Sequence, residues 1–325
     1  MKLLLIILLI PALTNAKVLY EENFEYLDTD HVFAYGYLYP WPMNYNLNKQ
    51  NYHGNCFRTT NGYRFNNFLL DSKTPFEGKR SWKVTVDTAY LNNMSTGCPH
   101  KWMQTEAKSR NEIVPGHRYN TSQVSPPWGE VEFGDQPYWY SYAFYIPKDQ
   151  PGLSTWIHRR TPRGIITQFL GAKNSATPEV HFMLGGDKDG IPYISMEVTW
   201  SEKEHGEDNH HAYYGFKPSF DEWHTLIVYR QRDWKKGILK VYLDCHKVSI
   251  DKCVAIVDHH GGNAIRDKPV SIFKFGNYRS DKLKIHQIIK YDRFMVHDRR
   301  SNLADVVEAY RVSSVAKPMA PVWSM

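Results

Sequence analysis

The segment SIFKFGNYRSD, residues 271–281, has the alternating pattern of a β-strand. Successive side chains of a strand point to opposite faces, so its two phenylalanines share one face. Lys274, Gly276 and Tyr278 then share the other face. The phenylalanines predict contact with an apolar core, and the lysine and tyrosine on either side of a glycine predict a binding or catalytic surface.

Short runs of this kind recur along the chain, and helical periodicity is nearly absent. Turn residues such as DKDG (187–190) separate the runs, a density typical of an all-β sandwich of antiparallel sheets. One helix is predicted at 301–310, with Ser301 as its N-cap. The predicted strands cover residues 79–91, 109–114, 137–147, 163–171, 178–186, 191–200, 222–231, 237–245, 270–278 and 286–296.

The chain opens with MKLLLIILLIPALTNA, a charged residue, an apolar run and small residues that end at Ala16. This pattern predicts a secretory signal peptide over residues 1–16, too short for a membrane anchor. Residues 17–312 are predicted to form one β-sandwich domain and 313–325 a flexible tail. The mature protein is therefore expected to be secreted, extracellular and monomeric.

Four cysteines in an exported chain predict two disulfides. Cys245 and Cys253 are eight residues apart, which suits a bridge across a hairpin or short loop. Cys56 would then pair with Cys98. Neither spacing is that of a zinc site.

The mature chain has 39 basic and 34 acidic residues, a net charge of +5. An exported basic protein suits an acidic partner, and we expect an anionic polysaccharide rather than nucleic acid or a membrane. The 22 tyrosines and 10 tryptophans suit either sugar stacking or a sandwich core. Sequons at Asn93 and Asn120 predict N-glycosylation if the source is eukaryotic.

Three segments occur in the order found in a known group of enzymes: SRNE (109–112), IITQF (165–169) and FKFGNY (273–278). They resemble the R-x-E, Q-x-H and Y-F-K-x-G-x-Y strands of the jelly-roll polysaccharide lyases, which include heparin lyase I and several alginate and glucuronan lyases. The resemblance extends over residues 80–296. It implies an antiparallel β-jelly-roll sandwich of the concanavalin type.

The resemblance also implies a reaction, β-elimination in a chain of uronic acids. A base removes the C5 proton, an acid protonates the departing O4, and donors on the adjacent carboxylate stabilise the developing charge. It assigns proton transfer to Tyr278, neutralisation of the carboxylate to Gln168 and Arg110, and substrate anchoring or a lowered tyrosine pKa to Lys274. No cofactor is required, and a structural calcium ion is not indicated.

One position departs from the family pattern. The residue two after the family glutamine is often a histidine that acts as base or carboxylate neutraliser, and here it is Leu170. Strand alternation places Gln168 on the same face as Ile166 and Leu170. His181, predicted to lie on the strand paired with 165–170, is the substitute candidate. A satisfied sheet histidine is the alternative interpretation of His181.

Further substrate contacts are expected beside these residues. Glu112 lies two residues after Arg110 on one strand face and could hold a cation in place, or form an ordinary surface ion pair. Tyr138 and Tyr140 share a strand face and could stack on sugar rings, or pack in the core. Gly276 would let a sugar ring approach the backbone.

Two other functions fit parts of the sequence. A non-catalytic, lectin-like glycan binder on the same fold would explain Leu170. A sandwich-fold glycoside hydrolase would use Glu130 and Glu132, but the third acid of that pattern, Asp135, falls after a glycine in a turn. The Lys-Gly-Tyr face favours the lyase.

Overall fold

The structure is a computed structural model. It describes residues 18–22, 36–39, 68–87, 108–115, 136–158, 164–171, 178–202, 209–266, 271–280 and 286–311. None of the helices in these segments is long and apolar enough to cross a bilayer. The signal peptide, Cys56, Cys98, both sequons and the predicted tail lie outside the described residues, so those predictions stay open.

The described residues form fifteen strands, numbered in chain order. They are β1 (Val18–Glu22), β2 (Gly36–Tyr39), β3 (Phe68–Asp71), β4 (Ser81–Asp87), β5 (Lys108–Pro115), β6 (Pro137–Tyr145), β7 (Gly164–Gly171), β8 (Pro178–Gly186), β9 (Pro192–Trp200), β10 (His210–Phe216), β11 (Trp223–Gln231), β12 (Gly237–Leu243), β13 (Val257–Gly261), β14 (Ser271–Ser280) and β15 (His286–His297). All ten predicted strands are present.

The strands form two sheets. The front sheet has the order β10-β9-β8-β7-β14-β5-β2, and the back sheet β13-β12-β11-β6-β15-β4-β3 with β1 also paired to β15. Every pair of strands in both sheets is antiparallel. The predicted β-jelly-roll sandwich is thereby confirmed.

The core lies between the sheets and is rich in stacked aromatic rings. Phe273 and Phe275 of β14 are buried there, as the alternation predicts. Phe273 stacks on Tyr140 with ring centroids 4.8 Å apart, and Phe275 stacks on Phe294 at 4.6 Å. Aromatic side chains bury large apolar areas and gain further from such contacts. This packing fixes β14 in the front sheet, with its lysine and tyrosine on the opposite face.

Of the two roles expected for the tyrosines of β6, sugar stacking and core packing, Tyr140 has the second. This strand belongs to the back sheet, and Tyr140 is buried in the core. Tyr138 is partly buried and packs against the same core cluster. Alternating aromatic residues show that they share one face of a strand, but not whether that face binds sugar or enters the core. The pattern therefore could not distinguish sugar stacking from core packing.

The single helix of the described segments, α1 (Leu303–Arg311), packs on the outer face of the back sheet. Its N-cap is Asn302 rather than Ser301. The Asn302 side-chain oxygen accepts a hydrogen bond from the Asp305 amide (3.1 Å), and the Asp305 carboxylate accepts one from the Asn302 amide (2.8 Å). This reciprocal pair is a capping box.

The predicted disulfide between Cys245 and Cys253 is present, with Cα atoms 5.1 Å apart. It closes a short loop of two 3₁₀ turns between β12 and β13. Arg311, at the end of α1, donates to the Cys245 carbonyl over 3.3 Å and to that of Val248. The loop and the helix therefore support one another on the back sheet.

A buried charge cluster joins the two sheets away from the lysine and tyrosine of β14. Glu179 of β8 is fully buried and accepts hydrogen bonds from Arg230 of β11 (2.8 Å) and from Arg232, just after that strand. The Ile265 amide also donates to this carboxylate over 3.0 Å. A buried carboxylate is tolerated because its oxygens are met by charged and polar donors.

Candidate active site

Five side chains on the outer face of the front sheet lie directly opposite one another on neighbouring strands. Lys274 of β14 is paired with Gln168 of β7, Gln168 with His181 of β8, His181 with Glu197 of β9, and Glu197 with Tyr213 of β10. We call these five residues the polar row. Neighbouring strands are about 4.8 Å apart, so the row is about 19 Å long.

Burial decreases along the polar row towards the sheet edge. Lys274, Gln168 and His181 are each more than nine-tenths buried, whereas Glu197 is half-buried and Tyr213 is 70% exposed. The β14 end is therefore shielded from water and the β10 end is open. Charges in a shielded site interact more strongly than at a surface, which suits the stabilisation of a developing charge.

The two other predicted motif residues of β5 are brought to the same region by strand register. Arg110 is paired with Tyr278, and Glu112 with Gly276. The side chains of Arg110 and Glu112 lie outside the described part of the structure. Tyr278 is half-buried. The backbone thus places the R-x-E strand beside the Lys-Gly-Tyr strand, as the resemblance implies.

Gly276 forms part of a β-bulge. The register between β14 and β7 shifts after Phe275, and the φ angle of Gly276 is +139°. Residues with a side chain rarely adopt this φ angle, so the backbone conformation favours glycine at this position. Gly276 is also buried. Its contact with a sugar ring stays a prediction, whereas its conformational role is evident.

A second bulge lies in β7. Because of it, the prediction that Ile166 shares a face with Gln168 is wrong. The register of β7 against β8 shifts between Ile165 and Thr167, so Ile166 turns into the core instead of sharing a face with Gln168. Leu170 is half-buried and outside the core clusters. The alternation assumed from the sequence fails because one extra residue reverses the pattern.

One core hydroxyl lies at both bulges. Tyr291 of β15 is fully buried, and its hydroxyl donates to the Gly276 carbonyl over 2.6 Å. The same hydroxyl is 3.5 Å from the Ile166 carbonyl. Beside it, the side-chain amide Nδ2 of Asn277 donates to Gln287 Oε1 over 3.1 Å. The back sheet thereby fixes the backbone that carries Tyr278.

His181 contacts a carboxylate that is itself held by other groups. Its Nε2 is 3.3 Å from Glu197 Oε2, while Glu197 Oε1 is 2.8 Å from His211 Nδ1. The Tyr213 hydroxyl donates to Glu197 Oε1 over 3.4 Å. Burial lowers the pKa of His181, although Glu197 opposes this shift, and His211 lowers it slightly further. His181 is therefore neutral near pH 7 and able to accept a proton.

The prediction that His181 lies on the strand paired with 165–170 is confirmed by its position opposite Gln168. Glu197, His211 and Tyr213 were missed. The run ISMEVTW, 194–200, alternates core residues with polar ones, so Glu197 could have been found by continuing the polar row one strand further. Strand β10 had no apolar run to reveal it, because its outward face carries a histidine, a tyrosine and a glycine.

The described residues contain no group of three or more His, Cys, Asp or Glu side chains arranged to hold a metal ion. What the polar row offers is a buried lysine, an amide, a neutral imidazole and a carboxylate in sequence. Such a set can bind an anionic group and move a proton.

A family model described as "Polysaccharide lyase" matches residues 51–298. The chain belongs to this family. The match includes the R-x-E strand, β7, β8, β9, β10 and the Lys-Gly-Tyr strand, so the whole polar row lies inside the family's part of the chain. No curated protein sequence matches the chain.

Several solved structures are similar to this polysaccharide lyase family member. The endo-β-1,4-glucuronan lyase of the fungus Trichoderma reesei is 13% identical with a TM-score of 0.48, over 70% of this chain and 85% of that one. Alginate lyase AlyC3 is 10% identical with a TM-score of 0.44, over 71% and 77%. Alginate lyase PA1167 of Pseudomonas aeruginosa is 11% identical with a TM-score of 0.40, over 70% and 85%.

Proposed function

We propose that the protein is a secreted lyase that cleaves a uronic-acid-containing anionic polysaccharide by β-elimination. The observation that carries this proposal is the direct pairing of Lys274, Gln168 and His181 on one buried sheet face, with Tyr278 on the strand of Lys274. Family membership supplies the reaction class, and this pairing supplies groups for each step.

The steps divide among the residues as follows. Gln168 and Arg110 donate to the uronate carboxylate, which makes the C5 proton more acidic by stabilising the negative charge that forms. Lys274 is a buried cation that anchors the anionic chain. Tyr278 transfers a proton at the scissile bond, and His181 is the base candidate in place of the histidine that Leu170 replaces.

The open end of the polar row supports a polymeric substrate. The row extends about 19 Å across five strands, longer than one sugar needs. The exposed Tyr213 ring at its β10 end offers a surface on which a further sugar can stack. A net charge of +5 on the mature chain also favours a polyanion.

The test is an ultraviolet absorbance assay for the unsaturated uronate product. Mature protein, residues 17–325, is incubated with alginate, glucuronan, heparan and chondroitin in turn. A rise in absorbance on one substrate supports the proposal and names the glycan. Binding without any rise would favour a lectin-like protein, and neither binding nor turnover would reject an anionic glycan as the ligand.

A matched pair of tyrosine variants tests the assignment of Tyr278. Tyr278→Phe is expected to lower kcat by about 10²- to 10⁴-fold, the usual contribution of general acid–base catalysis, with glycan affinity changed by only several-fold. Tyr242→Phe, on the outer side of the back sheet, is the control and should behave as wild type. Normal cleavage by Tyr278→Phe would remove Tyr278 from the mechanism.

A further inference from the structure

We infer that Glu197 and His211 are positioning residues that hold His181 with a bare Nδ1, and that this nitrogen removes the C5 proton of the substrate. The inference rests on the proposed function and goes beyond it. It decides between the two roles open to His181, base or carboxylate neutraliser. It also assigns work to two residues outside the family motifs.

The contact with Glu197 determines which ring nitrogen of His181 carries the proton. A carboxylate only accepts hydrogen bonds, and Glu197 Oε2 is 3.3 Å from Nε2. The stable arrangement therefore has the N–H on Nε2, facing the carboxylate. A neutral imidazole carries one N–H, so Nδ1 has the free lone pair. A bare nitrogen cannot donate to a substrate carboxylate, but it can accept a proton.

The surroundings of His181 Nδ1 leave its lone pair unused. Among the described residues, this atom is buried and has no hydrogen-bond partner. Buried polar atoms are nearly always satisfied, so such an atom requires an explanation. Glu197 occupies one side of His181, and Gln168 is the cross-strand neighbour on the other side.

Glu197 is itself held in place by residues of β9 and β10. Its Oε1 is 2.8 Å from His211 Nδ1 and accepts from the Tyr213 hydroxyl over 3.4 Å. Thr199 Oγ1 is 3.3 Å from the same His211 nitrogen. With one oxygen held in this way, the other stays directed at His181. Supporting contacts of this kind are what hold a base in one orientation and one tautomer.

The reaction then balances without any further reagent. The C5–H bond breaks and its proton forms the Nδ1–H bond of His181. The electron pair forms the C4–C5 double bond, the C4–O4 bond breaks, and O4 takes the Tyr278 hydroxyl proton. His181 becomes an imidazolium, which the Glu197 carboxylate stabilises. His181 later loses a proton to solvent, and Tyr278 regains one.

The variants are chosen for a kinetic signature that loss of structure would not produce. Within the described segments, the titratable groups facing His181 are Glu197 from β9, His211 and Tyr213 from β10 and, beyond Gln168, Lys274 from β14. The base works only when unprotonated, so the rate falls in acid. Glu197→Gln removes a charge that favours imidazolium, and the acid limb of the kcat/KM profile should move to lower pH. His211→Gln should move it to higher pH.

Glu197→Gln should also lower kcat by about 100-fold with little change in KM, because it acts on the transition state and not on binding. The control is His210→Gln. His210 is the neighbour of His211 on β10, but its ring stacks on Trp200 with centroids 5.5 Å apart, away from the polar row. An unchanged kcat and acid limb in Glu197→Gln, with wild-type thermal unfolding, would overturn the inference.

A second measurement does not depend on turnover. In protein labelled with ¹⁵N at the histidine rings, nuclear magnetic resonance distinguishes a protonated from a bare ring nitrogen. At pH 7.5, His181 is expected to have a protonated Nε2 and a bare Nδ1, and this preference should weaken in Glu197→Gln. A protonated Nδ1 in the wild type would overturn the inference even in an active lyase. A flat absorbance trace with the expected tautomer would instead reject the proposed function, and with it the base role of Nδ1, while the positioning of His181 by Glu197 would stand.

Discussion

Acid is expected to destabilise the fold through one buried histidine, His297 at the end of β15. The side chain is 2% exposed, and among the described residues neither ring nitrogen has a hydrogen-bond partner. Burial lowers its pKa from 6.5 to about 4, although Asp305 and Asp298 oppose the shift. The native state therefore holds this ring neutral at pH values where an unfolded chain protonates it.

The direction and magnitude of the stability change follow from the pKa values of His297 in the unfolded and native states. The stability due to the neutral ring is fully present above pH 6.5 and is lost as the pH falls towards 4, because the unfolded state takes up the proton first. Each unit of pKa difference corresponds to about 1.4 kcal/mol, so the total loss is about 3 kcal/mol. Between pH 7.5 and pH 4.5 the loss is about 2.5 kcal/mol.

The assay is urea unfolding of the wild type and His297→Leu at these two pH values. Other histidines with lowered pKa, such as His181 and His246, contribute equally to both proteins and cancel. The variant should therefore lose about 2.5 kcal/mol less than the wild type on acidification, whatever its stability at pH 7.5. His260→Gln, at an exposed position on β13, is the control and should retain the wild-type difference. Equal losses in the wild type and His297→Leu would refute the reasoning.

Three further predictions concern stability. Phe275→Ala leaves a cavity among stacked core rings and should lower the free energy of unfolding by about 3–5 kcal/mol in urea; a loss below about 1 kcal/mol would mean that the site is not packed as described. Replacing Cys245 and Cys253 together by alanine frees an eight-residue connection. It should cost about 2–3 kcal/mol, measured by thermal unfolding under non-reducing conditions, and an unchanged midpoint would show that the loop is held by α1 alone. Glu179→Gln leaves its two buried arginine partners without their carboxylate and should cost about 3–5 kcal/mol, whereas a stable variant in the same urea assay would show that water reaches the cluster.

The alternation of apolar and polar residues was sufficient to predict those strands in which every second side chain is buried. It predicted the two faces of β14, the positions of ten strands along the chain and the placement of His181 on the strand paired with 165–170. Those strands have one apolar face that must enter the core, so a shift of one residue would expose it. The pattern of apolar and polar side chains therefore specifies the register of these strands.

The remaining parts depend on features that a period of two does not reveal. The bulge in β7 adds one residue to the strand and sends Ile166 inward, and nothing in IITQF marks it. Strand β10 lies at the sheet edge and its outward residues are polar or aromatic, so it was not recognised. The sequence pattern also could not assign Tyr140 to the core, because core packing and sugar stacking both use aromatic rings.

The hydrogen bond from Tyr291 to the Gly276 carbonyl has a practical consequence for anyone wishing to change which sugar the protein accepts. It makes the backbone of the Lys-Gly-Tyr strand dependent on a residue of the opposite sheet, so a change of Tyr291 is expected to disturb the site from within the core. The β10 edge has no such tie to the core hydroxyl in the described residues, and Tyr213 projects from it into solvent. Variants aimed at glycan preference are therefore best confined to the exposed ring of Tyr213, with Tyr291 and its neighbours, Glu197 and His211 held constant.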